Sequence, residues 1–241
     1  MINKEKMSLN GNTIKIIAVI AMLIDHVGWA FVPNTTVLAT IMHVLGKMTA
    51  PIVFFFIAEG HHYTHNTKKY LFRLAIFAVI SHIPYNLYIN YGKMTFLPTS
   101  IMFTLLCGLL CLIAYSKIEN IFIKTITIIF LCIITLKADW GILGVLFILA
   151  FGVFYGNLNK QILSYLVLIV PNIIFDSFTI HKGNATAYTL LPYLGMLLII
   201  PILHLYNGKR GGNEISKWLF YIIYPLQFLI IGAIYLLINS S

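Results

Sequence analysis

Lys15, Asp25 and His26 lie within one apolar run, Thr13 to Val32. Lys15 and His26 are eleven residues apart, about three helical turns, so they share one helix face. At about 1.5 Å per residue they stand roughly 16 Å apart along the axis. In a membrane helix this puts Asp25-His26 near mid-depth, where ionisable groups are costly and mark function. A cation at the mouth and a base deep inside, on one face, suit a long substrate with an anionic head and a reactive tip. Asp25 points about 100° away from His26. It is therefore expected to pair with a neighbouring helix, with Lys47 as the partner, and not to form a dyad with His26.

Further polar residues interrupt the next apolar runs. Lys47 stands one turn before Pro51, which removes a backbone hydrogen bond and is expected to kink or break the helix there. A broken helix with a buried cation builds a polar cavity; the competing reading has Lys47 snorkelling to the interface. Glu59 is followed by His61, His62 and His65. Their spacing matches no zinc motif, so no metal is expected and a solvated loop over Gly60–Lys68 is. Lys68, Lys69 and Arg73 suit either anchoring to anionic lipid or phosphate recognition. Ser81-His82-Ile83-Pro84-Tyr85-Asn86 again sets a proline among polar groups, with His82 read as a packing residue. Asp139 precedes Trp140-Gly141-x-x-Gly144 and reads as a helix N-cap that can still face a cavity, with both glycines permitting close helix contact.

The elements that must position these residues follow from composition. The chain has 241 residues, 60% hydrophobic and 10% charged, with a mean hydropathy of +0.91. Soluble domains carry about 25% charged residues, so an integral membrane protein is expected. Long apolar runs favour helical spans over a β-barrel. Nine spans can be drawn: Thr13–Val32, Val37–Glu59, Lys69–Tyr91, Thr99–Tyr115, Ile121–Leu136, Trp140–Tyr155, Gln161–Phe175, Ala187–Tyr206 and Lys217–Ile238. The expected fold is an all-α polytopic bundle forming one domain over residues 1–241. The first run lacks a small-residue cleavage site and is expected to remain as a helix. The net charge of +9 reads as topology and not as nucleic-acid binding. With the N-terminus inside, Lys4, Lys6, Lys15, Lys68, Lys69, Arg73, Lys117, Lys124, Lys160, Lys209, Arg210 and Lys217 fall on the cytoplasmic side. Lys93, Lys137 and Lys182 fall outside. Cys107, Cys111 and Cys132 lie in apolar runs and read as packing residues.

The segments Lys15-x9-Asp25-His26, Gly46-Lys47-Met-Thr-Ala-Pro51, Glu59-Gly60 with Thr64, Lys69-Tyr70-x-x-Arg73-Leu74, Ser81-x-x-Pro84, Phe103-Thr104-Leu105-Leu106 and Asp139-x-Gly141-x-x-Gly144 occur in one order over residues 13–150. Together with Tyr224-Pro225-Leu226 this set resembles the TraX family, whose best-known member is the pilin N-acetylase of conjugative plasmids. Lys47 stands where that family usually has Arg, Asn86 where it has Asp, and Gln227 where His is common; no catalytic role is carried over to Gln227. The first helix also resembles that of a wider group of membrane acyltransferases, with a basic residue, ten intervening residues and a histidine.

The resemblance implies a multi-pass protein of the bacterial inner or plasma membrane that uses acetyl-CoA as acyl donor. The acceptor would be an amine or hydroxyl of a peptide, glycan or small molecule. His26 would be the general base, with Asp25 beside it, and Lys15, Lys47, Lys68, Lys69 and Arg73 would hold the CoA phosphates. Glu59, Ser81, Asn86, Thr104 and Asp139 would line the polar cavity. Two other classes compete: a proton-coupled transporter or channel with helices broken at Pro51 and Pro84, and a membrane scaffold, which leaves Asp25-His26 unexplained.

Overall fold

The computed structural model describes the backbone of residues 8–181, 187–212 and 214–239 and the side chains of residues 8–175, 191–212 and 218–238. Lys4, Lys6 and Lys182, and the side chain of Lys217, lie outside the described residues. Among the described residues the regular structure is helical, with two isolated β-bridges and no strand.

Several helices begin where a polar side chain satisfies their first amides. Asn10 caps α1 (Gly11–Phe31), its Oδ1 accepting the Thr13 N–H at 2.9 Å. Thr36 caps α2 (Val37–Lys47). The chain breaks at Met48 and resumes as α3 (Thr49–Tyr63). Pro51 sits in the first turn of α3, where its missing N–H costs little, so the break expected at this proline is present. Asn66 caps α4 (Thr67–Ile89). Pro84 lies inside α4 without interrupting it, which corrects the expectation of a second broken helix. Then follow α5 (Ile101–Lys117), α6 (Ile121–Ile134), α7 (Gly141–Val153), α8 (Leu158–His181), α9 (Ala187–Leu194), a 3₁₀ turn (Gly195–Leu198), α10 (Ile199–Leu205) and α11 (Glu214–Asn239).

Among the described residues, five helical segments are long and apolar enough to cross a membrane, and four shorter apolar ones accompany them. Together they correspond to the nine segments drawn from the sequence. At about 1.5 Å per residue, the 14-residue α6 reaches roughly 21 Å, less than the ~30 Å hydrocarbon core. Exposed apolar side chains run along single helices, such as Phe122, Ile126, Ile129, Phe130 and Ile133 on α6, and form surfaces suited to lipid.

The chain packs as two compact units, one of residues 1–53 and 169–223, the other of residues 54–168 and 224–241. In the first, α1 packs on α2, and Thr49 Oγ1 donates to the Ala18 carbonyl at 3.1 Å. The Lys209 and Arg210 carbonyls accept the Gly11 and Asn12 N–H groups at 2.8 Å, so backbone already fills the start of α1. In the second unit α5 and α7 approach through small residues. A Cβ on Gly144 would meet Thr104 Cγ2 at 2.7 Å and Phe54 at 2.9 Å. The three cysteines are buried free thiols, packed with Leu131 and Val145.

Candidate active site

In the first unit, Asp25 on α1 meets α2. His43 Nδ1–H donates to Asp25 Oδ1 at 2.7 Å, with the two side chains 5% and 18% exposed. His43 Nε2 lies 3.4 Å from Asn34 Oδ1, and the Trp29 ring covers the imidazole at 4.3 Å. Gly46 makes the approach possible: a Cβ there would stand 2.6 Å from Asp25 Oδ1 and closer still to its carbons. The pair is thus a charge-assisted hydrogen bond inside an apolar helix pair, the setting in which each partner depends on the other.

This corrects the expected Asp25–Lys47 pair. Residues 46 and 47 point about 100° apart on α2. Gly46 faces Asp25, whereas Lys47 faces Gly195 and sits 5.7 Å over the Tyr193 ring. A side-chain partner on the neighbouring helix was legible; His43 was not, because a lone histidine in Ile41-Met42-His43-Val44 reads as packing. Its signal was the i, i+3 relation to Gly46, which places an imidazole and a gap on one face.

His26 is half-buried one residue beyond Asp25, and Lys15 is half-buried near the start of the same helix. Since α1 is unbroken from Gly11 to Phe31, the separation of about 16 Å read from the sequence holds along its axis.

The remaining expected site residues belong to the second unit. Glu59 is buried, and α3 continues past it to Tyr63, so Gly60–Tyr63 is helix, contrary to the solvated loop expected there. His62 Nε2–H donates to the Gly152 carbonyl at 3.0 Å and stacks on Tyr155 at 3.9 Å. The Tyr155 phenol is pushed up to about 12 by its hydrogen bond with Tyr63, then by burial and the negative charge of Glu59. Lys68 and Lys69 are exposed, while Arg73 is half-buried over the Tyr70 ring at 5.2 Å. Among the described residues no three His, Cys, Asp or Glu side chains gather as a metal site.

Two expected cavity residues, Asn86 and Thr104, turn their side chains to the backbone. Asn86 Nδ2 donates to the Pro98 and His82 carbonyls, both at 3.1 Å, and Thr95 Oγ1–H donates to Asn86 Oδ1 at 2.7 Å. Thr104 Oγ1 donates to the Asp139 carbonyl at 2.6 Å. Asp139 is not the N-cap of α7. Trp140 occupies that position with φ +63° and no side-chain cap bond, followed by Gly141 at φ +38°. The reason is the parallel bridge between Thr99 and Ala138, in which the Asp139 N–H donates to the Thr99 carbonyl at 2.9 Å. That bridge commits the Asp139 backbone before the helix begins.

The family described as TraX protein matches residues 10–235. Among curated proteins, the "Probable fimbrial assembly protein FimC, serogroup H1" of Dichelobacter nodosus is 29% identical, the match covering 89% of this chain and 91% of the relative. A protein of Rickettsia prowazekii (strain Madrid E), described as uncharacterized, is 26% identical over 92% of this chain and 91% of its own length. No solved structure matches.

Proposed function

Starting from the chain's membership of the TraX family, we propose that it is an integral-membrane acyltransferase that moves acetyl from cytoplasmic acetyl-CoA to an amine or hydroxyl. The observation that carries this reading is the arrangement on α1. His26 adjoins the part-buried Asp25–His43 pair, and Lys15 lies on the same face three turns away. His26 takes the acceptor's proton as the acceptor nitrogen or oxygen attacks the thioester carbonyl. The tetrahedral intermediate collapses, the C–S bond breaks, and the leaving thiolate recovers the proton. Lys15 supplies a cation for the CoA phosphates on the cytoplasmic side; Lys68, Lys69 and Arg73 are a separate set of cations in the other unit. Lys47, turned over Tyr193, is a weaker candidate for that role. The printed name of the Dichelobacter nodosus relative, a fimbrial assembly protein, favours a peptide amine as acceptor over a glycan or small molecule.

Donor truncation tests this reading. Lys15→Ala is expected to raise the KM for acetyl-CoA more than it changes turnover, because a ground-state contact is lost. The effect should shrink with acetyl-pantetheine, which lacks the nucleotide phosphates. Equal losses with both donors would remove the phosphate assignment, and no thiol release from either donor would remove acyl transfer.

A further inference from the structure

The second unit holds buried polar groups whose hydrogen bonds neither the backbone nor a neighbouring side chain satisfies. Gln227 on α11 is 3% exposed, and neither its Nε2 nor its Oε1 has a hydrogen-bond partner. Ser81 on α4 is fully buried, and its hydroxyl likewise has none; it does not even bond back to the preceding turn of its own helix. Buried polar atoms are normally satisfied, and an unmet one costs about 1–3 kcal/mol. Three such atoms in one helix layer call for a ligand.

The layer can be traced from ring contacts. Tyr85 and Tyr88 of α4 pack on Phe228 of α11 at 5.5 and 5.0 Å, and a Cβ on Gly232 would come within 3.9 Å of the Tyr88 Cα. Residue numbers thus rise together along both helices. Ser81, one turn before Tyr85 on the same face, falls level with Tyr224, and Gln227 lies within one turn of it. Ser100 and Asp139 both neighbour the Tyr224 phenol.

We propose that Ser81 and Gln227 form a binding site for the uncharged secondary amide of a ligand. A trans secondary amide points its carbonyl and its N–H to opposite sides, so the Gln227 amide donates to the carbonyl or accepts the N–H, and the Ser81 hydroxyl, both donor and acceptor, takes the other. The rings of Tyr85, Tyr224 and Phe228 add flat surfaces beside it. The site does not depend on acyl transfer, since binding and stability can be read without turnover. Two sources of such an amide are separable: a donor-type pantetheine arm and an acceptor-type peptide bond.

The test uses the full chain in lipid nanodiscs and two probes, pantetheine and N-acetylglycinamide. Without a probe, Gln227→Leu should raise the melting temperature by about 2–4 °C, the shift for roughly 1 kcal/mol in a chain of this size, because the unmet amide is gone. At least one probe should raise the melting temperature of the wild type and fail to do so for Gln227→Leu. The probe that acts identifies the source. Ser81→Ala, which only deletes an oxygen, should weaken the same probe's shift and serves if Gln227→Leu does not fold. A lowered melting temperature in Gln227→Leu with retained probe shifts, or no shift from either probe, would overturn the proposal.

Discussion

Asp25 on α1 and Asn86 on α4 are both polar residues set into apolar helices, and their neighbours use them differently. Asp25 meets another side chain, the titratable His43 at 2.7 Å. Asn86 spends its amide donors on the His82 and Pro98 carbonyls and its carbonyl on Thr95. The first arrangement holds a charge beside a general-base candidate. The second closes a loop onto a helix. Asn86 Nδ2 also lies 3.4 Å from His82 Nδ1, so the difference is one of main partner: a short bond to a titratable side chain marks a candidate for chemistry, and shorter bonds to backbone carbonyls mark architecture.

The largest effect that sharpens this contrast is on activity. If the proposed acyl transfer holds, His26→Ala should leave insertion intact and cut turnover by about 10²–10⁴-fold, whereas Asn86→Leu should leave the remaining folded protein near its normal rate. Wild-type turnover in His26→Ala would remove the mechanism. Next comes stability at the pair. Asp25→Ala or His43→Ala leaves a buried partner unpaired and should cost about 3 kcal/mol, the low end for a broken buried pair because Asp25 keeps some exposure. The double variant Asp25→Leu/His43→Leu should recover most of that in a thermal melt. If the singles and the double lose equally, the pair is not coupled. Asn86→Leu strands the Pro98 carbonyl and should cost about 1–3 kcal/mol; a neutral result would make that loop closure incidental.

The smallest effect concerns Tyr155. Its phenol is raised to about 12 in the folded chain against an ordinary value near 10. Folding therefore favours the protonated form. The associated stability is fully present below pH 10 and is lost as pH rises towards 12. A stability–pH profile of Tyr155→Phe should be flatter over that window. An unchanged profile would mean that Tyr63 and Glu59 do not act on this phenol.

The sequence carried the helical segments and the break at Pro51, because apolar run length and proline are local signals. It did not carry the continuity of α4 through Pro84, which is set by a helix whose other amides remain satisfied. Asp139 read as a cap from its position before Trp140-Gly141. Its real setting depends on Thr99, forty residues earlier, and no local pattern reports that bridge. Asp25's need for a partner on another helix was legible from helix geometry. The choice of His43 over Lys47 came from the gap at Gly46, a packing fact that spacing alone does not rank. Gln227 was set aside because histidine is common at its position in the resembling family, and its unmet amide emerges only when burial and partners are known.

Acyl transfer itself is tested most directly by incubating the purified chain in nanodiscs with acetyl-labelled acetyl-CoA and following thioester loss and label transfer. The account predicts thioester loss with the wild type, label on an added amine or hydroxyl acceptor, and neither with His26→Ala. An intact thioester in the presence of the wild type and a panel of peptide, glycan and small-molecule acceptors would contradict it.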